Sequence, residues 1–288
     1  MRYSQLSDLL RKARAAVSKG PLCLIFAEDE IELESTVRHH LNAGFAQTIL
    51  FAPPNIALPG GLQDSVLTVD FDTHQQGAVA DAINTLISAC PGVWIYYCYN
   101  AEYLFHPFSE TRNVAEMLAF HAEERREAML TYVIDLYAGD LDKTPNAVSR
   151  DDAHIDRTGY YALNRQAGPR GPKLERQLDF FGGLRWRFEE HIPKTARRID
   201  RIALFRAKPG LQLSDNHLFS DPEYNTYACP WHNNLTAAIC SFRVAKALRT
   251  NPGSRFEIDT FAWHNSVRFG WTSQELMDLG LIEPGQWF

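Results

Sequence analysis

Residues 22–51, LCLIFAEDEIELESTVRHHLNAGFAQTILF, contain the pattern that decides the fold. The apolar run at 22–27 predicts a buried strand, and the acidic residues 28–30 predict a loop after it. Apolar residues at helical spacing follow until Gly44, a residue type that commonly ends a helix. Residues 48–51 predict a second strand, which ends at Pro53 and Pro54. This order of strand, helix and strand indicates a parallel connection.

The same alternation continues along the chain. Further strands are predicted at 66–69, 93–98 and 128–136, and further helices at about 76–89, 113–127 and 235–248. The fold class is therefore α/β, with a Rossmann-like, mostly parallel central sheet flanked by helices. We predict an N-terminal amphipathic helix over 1–19 and a single domain over 20–288, with an irregular insertion at about 140–178 because that stretch is polar and rich in Gly and Pro.

Composition excludes several classes of protein. The 288 residues are 45% hydrophobic and 22% charged, which is typical of a globular protein. A net charge of −6 predicts no nucleic acid partner. The five cysteines show no CxxC spacing, so neither a disulfide framework nor a zinc site is expected. Without a signal peptide or a transmembrane segment, we predict a cytoplasmic protein, and the amphipathic N-terminal segment leaves peripheral membrane association open.

Carboxylates follow three of the predicted strands. Ligands of parallel sheets bind at the carboxyl ends of the strands, where carboxylates can hold ribose, a divalent cation or a proton. The carboxylates in question are Glu28, Asp29 and Glu30, then Asp70 and Asp72, then Asp135, Asp140 and Asp142. For Asp70 and Asp72 the simpler interpretation is capping of the next helix.

The order of short motifs resembles glycosyltransferase family 2, whose members have the GT-A fold. Glu28-Asp29 stand where that family has Asn-Glu, and His39-His40 match its histidine pair before a glycine. Further matches come later in the chain: VWIYYCYNAEYLF at 93–105, TYVIDLYAGDL at 131–141 and GGLRWRF at 182–188. The resemblance covers about 22–281 and implies a GT-A-like sheet, a nucleotide-sugar donor, and a saccharide or lipid-linked acceptor.

The resemblance also implies candidate site residues. Asp135 is the first candidate for the catalytic base, and Glu102 is the second. The candidate donor-binding residues are Glu28, Asp29, Tyr99, Asn100, Arg185, Arg187, Lys194 and His232. His217 and His264 are weaker candidates, since a histidine in such a context is more often a packed core residue.

The chain departs from the family at its metal motif. Tyr99 and Ala101 stand where relatives have the two aspartates that hold the metal, and only Glu102 is kept. Arginine and lysine side chains could replace the metal by neutralising the departing diphosphate. Mn²⁺ or Mg²⁺ stays open as a cofactor, with weak metal ligands at Asp70, Asp72, Asp140 and Asp142.

These observations favour a glycosyltransferase whose transfer step need not depend on a metal. Such an enzyme could serve bacterial surface polysaccharide synthesis. The alternative is a catalytically degenerate GT-A-like protein that binds a glycan or a nucleotide. A P-loop enzyme is disfavoured because no Gly-rich phosphate loop follows the first strand.

Overall fold

A computed structural model describes residues 1–58, 60–168, 170–226 and 234–287. Within these residues the architecture is mixed α/β, with a large, mostly parallel central sheet flanked by helices. The described residues cluster into two compact units, where the sequence predicted one domain after residue 19. The first unit comprises Met1–Leu104, Thr111–Leu130 and Ile202–Asn225, and the second comprises Phe105–Glu110, Thr131–Arg201 and Thr226–Phe288.

The strands and helices of the described residues follow in chain order. The strands are β1 (Arg2–Tyr3), β2 (Leu22–Phe26), β3 (Gln47–Ala52), β4 (Val66–Asp70), β5 (Trp94–Tyr99), β6 (Glu102–Phe105), β7 (Ala128–Asp135), β8 (Tyr137–Ala138), β9 (Ala153–Asp156), β10 (Tyr161–Gln166), β11 (Lys173–Phe181), β12 (Asp200–Arg206), β13 (Ala237–Ser241) and β14 (Ser266–Arg268). The α-helices are α1 (Leu6–Lys12), α2 (Arg14–Val17), α3 (Leu33–Asn42), α4 (Ala78–Ala89), α5 (Val114–Glu123), α6 (Leu184–Arg187), α7 (Arg243–Thr250) and α8 (Ser273–Asp278).

The first unit is built on strands in the order β1-β4-β3-β2-β5-β12. The first five of these strands are parallel to their neighbours, and β12 runs antiparallel to β5. Every residue of β2 is buried, because helices cover both faces of a parallel sheet. The strands predicted at 22–27, 48–51, 66–69 and 93–98 are confirmed as β2, β3, β4 and β5, with ends that differ by one residue.

The second unit contains the C-terminal part of β7, whose residues 131–135 pair in parallel with β13. A small antiparallel sheet has the order β14-β9-β8, and β10 and β11 form a hairpin. The predicted strand at 128–136 is confirmed as β7. The stretch at 140–178 is more regular than predicted, because β9 and β10 lie inside it and β11 begins there.

The helix predicted at 235–248 is wrong. Residues 237–241 form β13, a strand buried along its whole length, and the helix α7 begins only at Arg243. The alanines and the leucine of this segment favour a helix, but burial against β7 outweighs that weak preference.

The predicted N-terminal helix is broken into α1 and α2, and β1 precedes it. Leu9 and Val17, both on its predicted apolar face, are fully buried. That face therefore packs inside the first unit, at least at these two positions. Within the described residues, the helices are too short or too polar for any of them to cross a bilayer.

Candidate functional site

The first unit has a topological switch point between β2 and β5. The chain leaves β2 toward β3 and β4 on one side, while β5 lies on the other side of β2. The connections that follow β2 and β5 therefore diverge, and a crevice at such a point is the usual ligand site of an open α/β sheet. The predicted donor-binding residues Glu28 and Asp29 follow β2, and Asn100 follows β5.

The amide of Asn100 ties these two loops together. Its Oδ1 accepts a hydrogen bond from the Glu28 N–H at 2.8 Å. Its Nδ2 donates to Asp29 Oδ1 at 2.7 Å and to the Ile31 carbonyl at 2.9 Å. Asn100 is fully buried, so these bonds fix the course of both loops in a region without water competition.

Glu102, the second candidate for the base, points into the protein. It is fully buried, and its Oε2 accepts a hydrogen bond from the Tyr99 N–H at 2.9 Å. Between them, Ala101 has a φ of 59°, and its N–H donates to Thr36 Oγ1 at 2.8 Å. Glu102 thus stabilises the tight turn between β5 and β6.

A cleft of about 310 Å³ lies beside the switch point, entirely within the first unit. This volume is at the lower end of the range of ligand pockets. Its lining residues come from the loop after β4, the start of α4, the end of β5 and the segment 213–217: Thr73, His74, Gln75, Gln76, Gly77, Val79, Ala80, Tyr99, Leu213, Ser214, Asp215 and His217.

Two histidines of this cleft are held by the protein. His74 Nε2 lies 3.2 Å from the Glu28 carbonyl oxygen, so the predicted donor-binding residue Glu28 positions the imidazole. His217 Nδ1 lies 3.0 Å from the hydroxyl oxygen of Tyr97, and the two rings stack with centroids 5.8 Å apart. Glu28 and Tyr99 were predicted from the sequence, but His74 and Asp215 were missed, because their place in the cleft depends on how the loops after β4 and β12 pack.

Asp70 and Asp72 do not cap α4, whose N-cap residue is Gly77. Asp70 pairs with Arg2 at 2.5 Å, and the same guanidinium donates to the Ile56 carbonyl. Asp72 Oδ1 accepts from the His74 N–H at 3.0 Å, which is an Asx turn. The capping interpretation is therefore wrong for both residues.

The second unit contains Asp135, the first candidate for the base, at the end of β7. Its carboxylate is buried and accepts two long hydrogen bonds from Arg185, from the backbone N–H at 3.3 Å and from Nε at 3.4 Å. Burial raises the pKa of Asp135 and outweighs the attraction of Arg185, so the pKa reaches about 6. A carboxylate with such a pKa can take up a proton near neutral pH.

A second buried carboxylate, Asp156, was missed by the sequence because it lies in the predicted irregular stretch. Its Oδ1 accepts hydrogen bonds from the Tyr137 hydroxyl at 2.5 Å, Trp263 Nε1 at 2.7 Å and Arg187 at 3.0 Å. Since three side chains from different segments donate to it, Asp156 acts as the centre of a fixed network. The guanidinium of Arg187 also lies 4.7 Å from the ring centroid of Trp263.

The arginines predicted to neutralise a diphosphate are paired with carboxylates. Arg185 contacts Asp135 and Arg187 contacts Asp156. Two further arginines close to them in the chain are also paired: Arg197 with Glu189, and Arg198 with Asp179 and Asp200. Lys194 is exposed in a short 3-10 turn, Lys194–Ala196.

The remaining candidates have simpler roles or lie outside the description. Asp140 accepts hydrogen bonds from the N–H groups of Asp142 and Lys143, and it pairs with the Lys143 ammonium group at 2.8 Å. Asp142 and His264 are exposed. His232 lies outside the described residues. Neither Asp70 and Asp72 nor Asp140 and Asp142 belong to a group of three potential metal ligands within the described ranges.

One group of potential metal ligands is found where the sequence predicted none. Cys23, His40 and Cys98 are fully buried, and their ligating atoms lie within 4.8 Å of one another. We refer to these three residues as the Cys-His-Cys cluster. Burial raises the pKa of the Cys98 thiol, but a hydrogen bond from Cys23 and the charge of His40 lower it to about 6. Cys23 and Cys98 are 75 positions apart in the chain, so their spacing did not indicate a metal site.

The chain matches no protein family model, and no curated protein matches it significantly.

Proposed function

We propose that this protein is a GT-A-like glycosyltransferase that transfers a sugar from a nucleotide-sugar donor to a saccharide or lipid-linked acceptor. The observation that carries the proposal is Asp135, a buried carboxylate at the carboxyl end of a parallel strand with a pKa of about 6. Glycosyl transfer to a hydroxyl group requires a base with this property. Four free cysteines among the described residues fit the reducing cytoplasm, where nucleotide sugars are used.

Within the first unit, taken by itself, we assign nucleotide binding to the cleft. Asp215 offers a carboxylate that can accept hydrogen bonds from ribose hydroxyls. The α4 N-terminus, which begins after Gly77 without a side-chain cap, offers N–H donors to a diphosphate. The volume of about 310 Å³ suits a nucleoside.

The reaction assigned to Asp135 is a direct displacement. The acceptor hydroxyl attacks the anomeric carbon, and its proton passes to the Asp135 carboxylate. The bond between the anomeric carbon and the diphosphate oxygen breaks, and the nucleoside diphosphate leaves with the electron pair. Arg185, which donates to Asp135, holds the carboxylate in place.

Donor binding is tested by thermal unfolding of the full chain with nucleoside diphosphates and nucleotide sugars. A ligand at about 100 times its Kd should stabilise the protein by about 2.7 kcal/mol. Exchange of a cleft residue, His74→Ala or Asp215→Asn, should weaken this effect, and the exposed control His264→Ala should not. If no nucleotide stabilises the protein, the donor assignment fails.

Catalysis is tested with Asp135→Asn. We expect transfer to be lost while the affinity for the donor stays within about twofold, since the base acts only in the chemical step. The control Asp142→Asn removes an exposed carboxylate and should retain full activity. A wild-type protein that binds a nucleotide or a glycan without any transfer would instead support the degenerate binding protein.

A further inference from the structure

The Cys-His-Cys cluster of the first unit is built by two strands and one helix. In the register of β2 and β5, Cys23 pairs with Tyr96, and Cys98 lies two residues further along β5. Residues two apart on a strand point to the same face, so both thiols face the same side of the sheet. The helix α3 covers that side, where the ring of His40 stacks on Tyr96 with centroids 5.3 Å apart.

The distances within the cluster are close to those of a metal site. Cys98 Sγ lies 3.8 Å from His40 Nε2, and all three ligating atoms lie within 4.8 Å of one another. Around a tetrahedral zinc ion, with bonds of about 2.3 Å to sulfur and about 2.0 Å to nitrogen, ligand atoms are separated by roughly 3.5–3.8 Å. Side-chain shifts of at most about 1 Å would therefore be sufficient to bring the ligands around one ion.

The orientation of His40 is that of a metal ligand. Its Nδ1 lies 2.8 Å from the Thr36 carbonyl oxygen, which can only accept a hydrogen bond, so Nδ1 carries a proton. In the neutral ring the lone pair is then on Nε2, the atom that faces Cys98. A backbone carbonyl that fixes the ring in this way is the common second partner of zinc-bound histidine.

We propose that Cys23, His40 and Cys98 bind a zinc ion as three of its ligands. Two thiolates and an imidazole prefer zinc over the hard ions Mg²⁺ and Mn²⁺, so this site is separate from any metal on a diphosphate. Binding releases the two thiol protons to solvent. Since all three side chains are fully buried, the ion enters during folding and links β2, β5 and α3.

The test uses the full chain expressed in medium supplemented with zinc or with cobalt. Elemental analysis and native mass spectrometry should show about one zinc per chain, as expected when metal binding is coupled to folding. The cobalt form should show thiolate-to-cobalt charge-transfer absorption. Wild-type protein without stoichiometric metal, or with a disulfide between Cys23 and Cys98, would overturn the proposal.

Variants assign the ligands. We expect Cys23→Ser, Cys98→Ser and His40→Gln each to lower metal content or affinity by more than about 100-fold, since loss of even an outer-shell partner costs about 10–100-fold. The matched controls Cys90→Ser and Cys240→Ser change buried free thiols outside the cluster and should keep the metal. If a ligand variant does not fold, the wild-type cobalt spectrum still decides whether thiolates bind the ion. A cluster variant that folds and retains the metal would exclude that residue and overturn the assignment.

Discussion

At the scale of single residues, two buried carboxylates of the second unit differ in how they are held. Asp156 accepts three short hydrogen bonds, whereas Asp135 accepts two long ones from one arginine. Asp156 is therefore held firmly in a network, while burial dominates at Asp135 and raises the pKa of its carboxyl group. This difference is the reason to assign the base to Asp135.

The raised pKa of Asp135 predicts the pH dependence of transfer. The base must be ionised, so kcat/KM should be constant above about pH 7 and fall tenfold per pH unit well below about 6. The pH profile of initial rates, measured with the acceptor well below its KM, checks this expectation. A profile that stays flat down to pH 5 would exclude Asp135 as the base.

Protonation of Asp135 cannot lower the activity at acidic pH by unfolding the protein. Its pKa is about 6 in the folded protein and about 3.8 in an unperturbed chain, so the folded state binds the proton more tightly. Between these two values the contribution of Asp135 to stability falls as the pH rises. Acidification to pH 5 therefore strengthens this contribution, and unfolding midpoints at each pH separate the two effects.

The close approach of Gly183 to Asp135 predicts that a side chain at position 183 would displace the Asp135 carboxylate. The residue has a φ of 62°, and a Cβ at this position would lie 2.9 Å from Asp135 Oδ2. Gly183→Ala should lower the free energy of unfolding by about 1–3 kcal/mol for the backbone alone, because a φ of 62° with a ψ of −151° is a conformation that essentially only glycine adopts, and it should also displace the Asp135 carboxylate.

The control for this variant is Gly210→Ala. Gly210 also has a positive φ, of 79°, but a Cβ there would meet nothing within 4 Å. Both variants place an alanine at a positive φ, and only Gly183→Ala has the steric contact. Equal losses of transfer activity and stability in the two variants, measured by initial rates and chemical denaturation, would show that the contact with Asp135 is unimportant.

At the scale of strands and helices, Asp156 connects β8, β9, α6 and the segment before β14. Tyr137, Arg187 and Trp263 all donate to it, and the side chain of Arg187 is 10% exposed. Asp156→Asn would leave the nearly buried guanidinium of Arg187 without its counter-charge. We expect a loss of about 3–5 kcal/mol in the free energy of unfolding.

Chemical denaturation of the full chain measures this loss. The comparison is Asp142→Asn, an exposed carboxylate whose exchange should change stability by no more than about 0.5 kcal/mol. If Asp156→Asn were as stable as this control, the network would have no structural role.

The accuracy of the sequence predictions followed how distinctive the residue pattern of each element is. The strands β2, β3, β4, β5 and β7 were predicted because continuous apolar runs between turn residues have few other interpretations. The segment of β13 failed since LTAAICSF suits a helix equally well by composition. The hairpin β10–β11 was missed because β10 is exposed except at one residue, and its apolar residues Tyr161 and Leu163 do not mark a buried face.

The candidate site was predicted in part. Glu28 and Asp135 are carboxylates at strand ends, which the parallel topology alone marks as candidates, whereas Tyr99 was implied by the resemblance. Asp156, His74 and the Cys-His-Cys cluster could not be predicted, since they depend on which loops and helices pack together. Motif spacing detects ligands only when they are near one another in the chain, and Cys23 and Cys98 are not.

At the scale of the whole molecule, the net charge is −6 and the candidate arginines are paired with carboxylates. The central question is therefore which groups neutralise the negative charge of the donor. Tyr99 and Ala101 stand where the resemblance implies aspartates, and within the described ranges the Asp-x-Asp pairs join no group of three ligands. Donor binding should therefore not need Mn²⁺ or Mg²⁺. We expect the donor Kd and the transfer rate to stay within about twofold when EDTA replaces Mn²⁺, because the N–H groups at a helix N-terminus can bind the diphosphate instead. Brief exposure to the chelator should leave the fully buried Cys-His-Cys cluster unchanged, so zinc content measured in the same samples separates the two metals. A loss of more than about 100-fold in EDTA that Mn²⁺ restores, at constant zinc content, would mean that carboxylates elsewhere in the chain hold a catalytic ion.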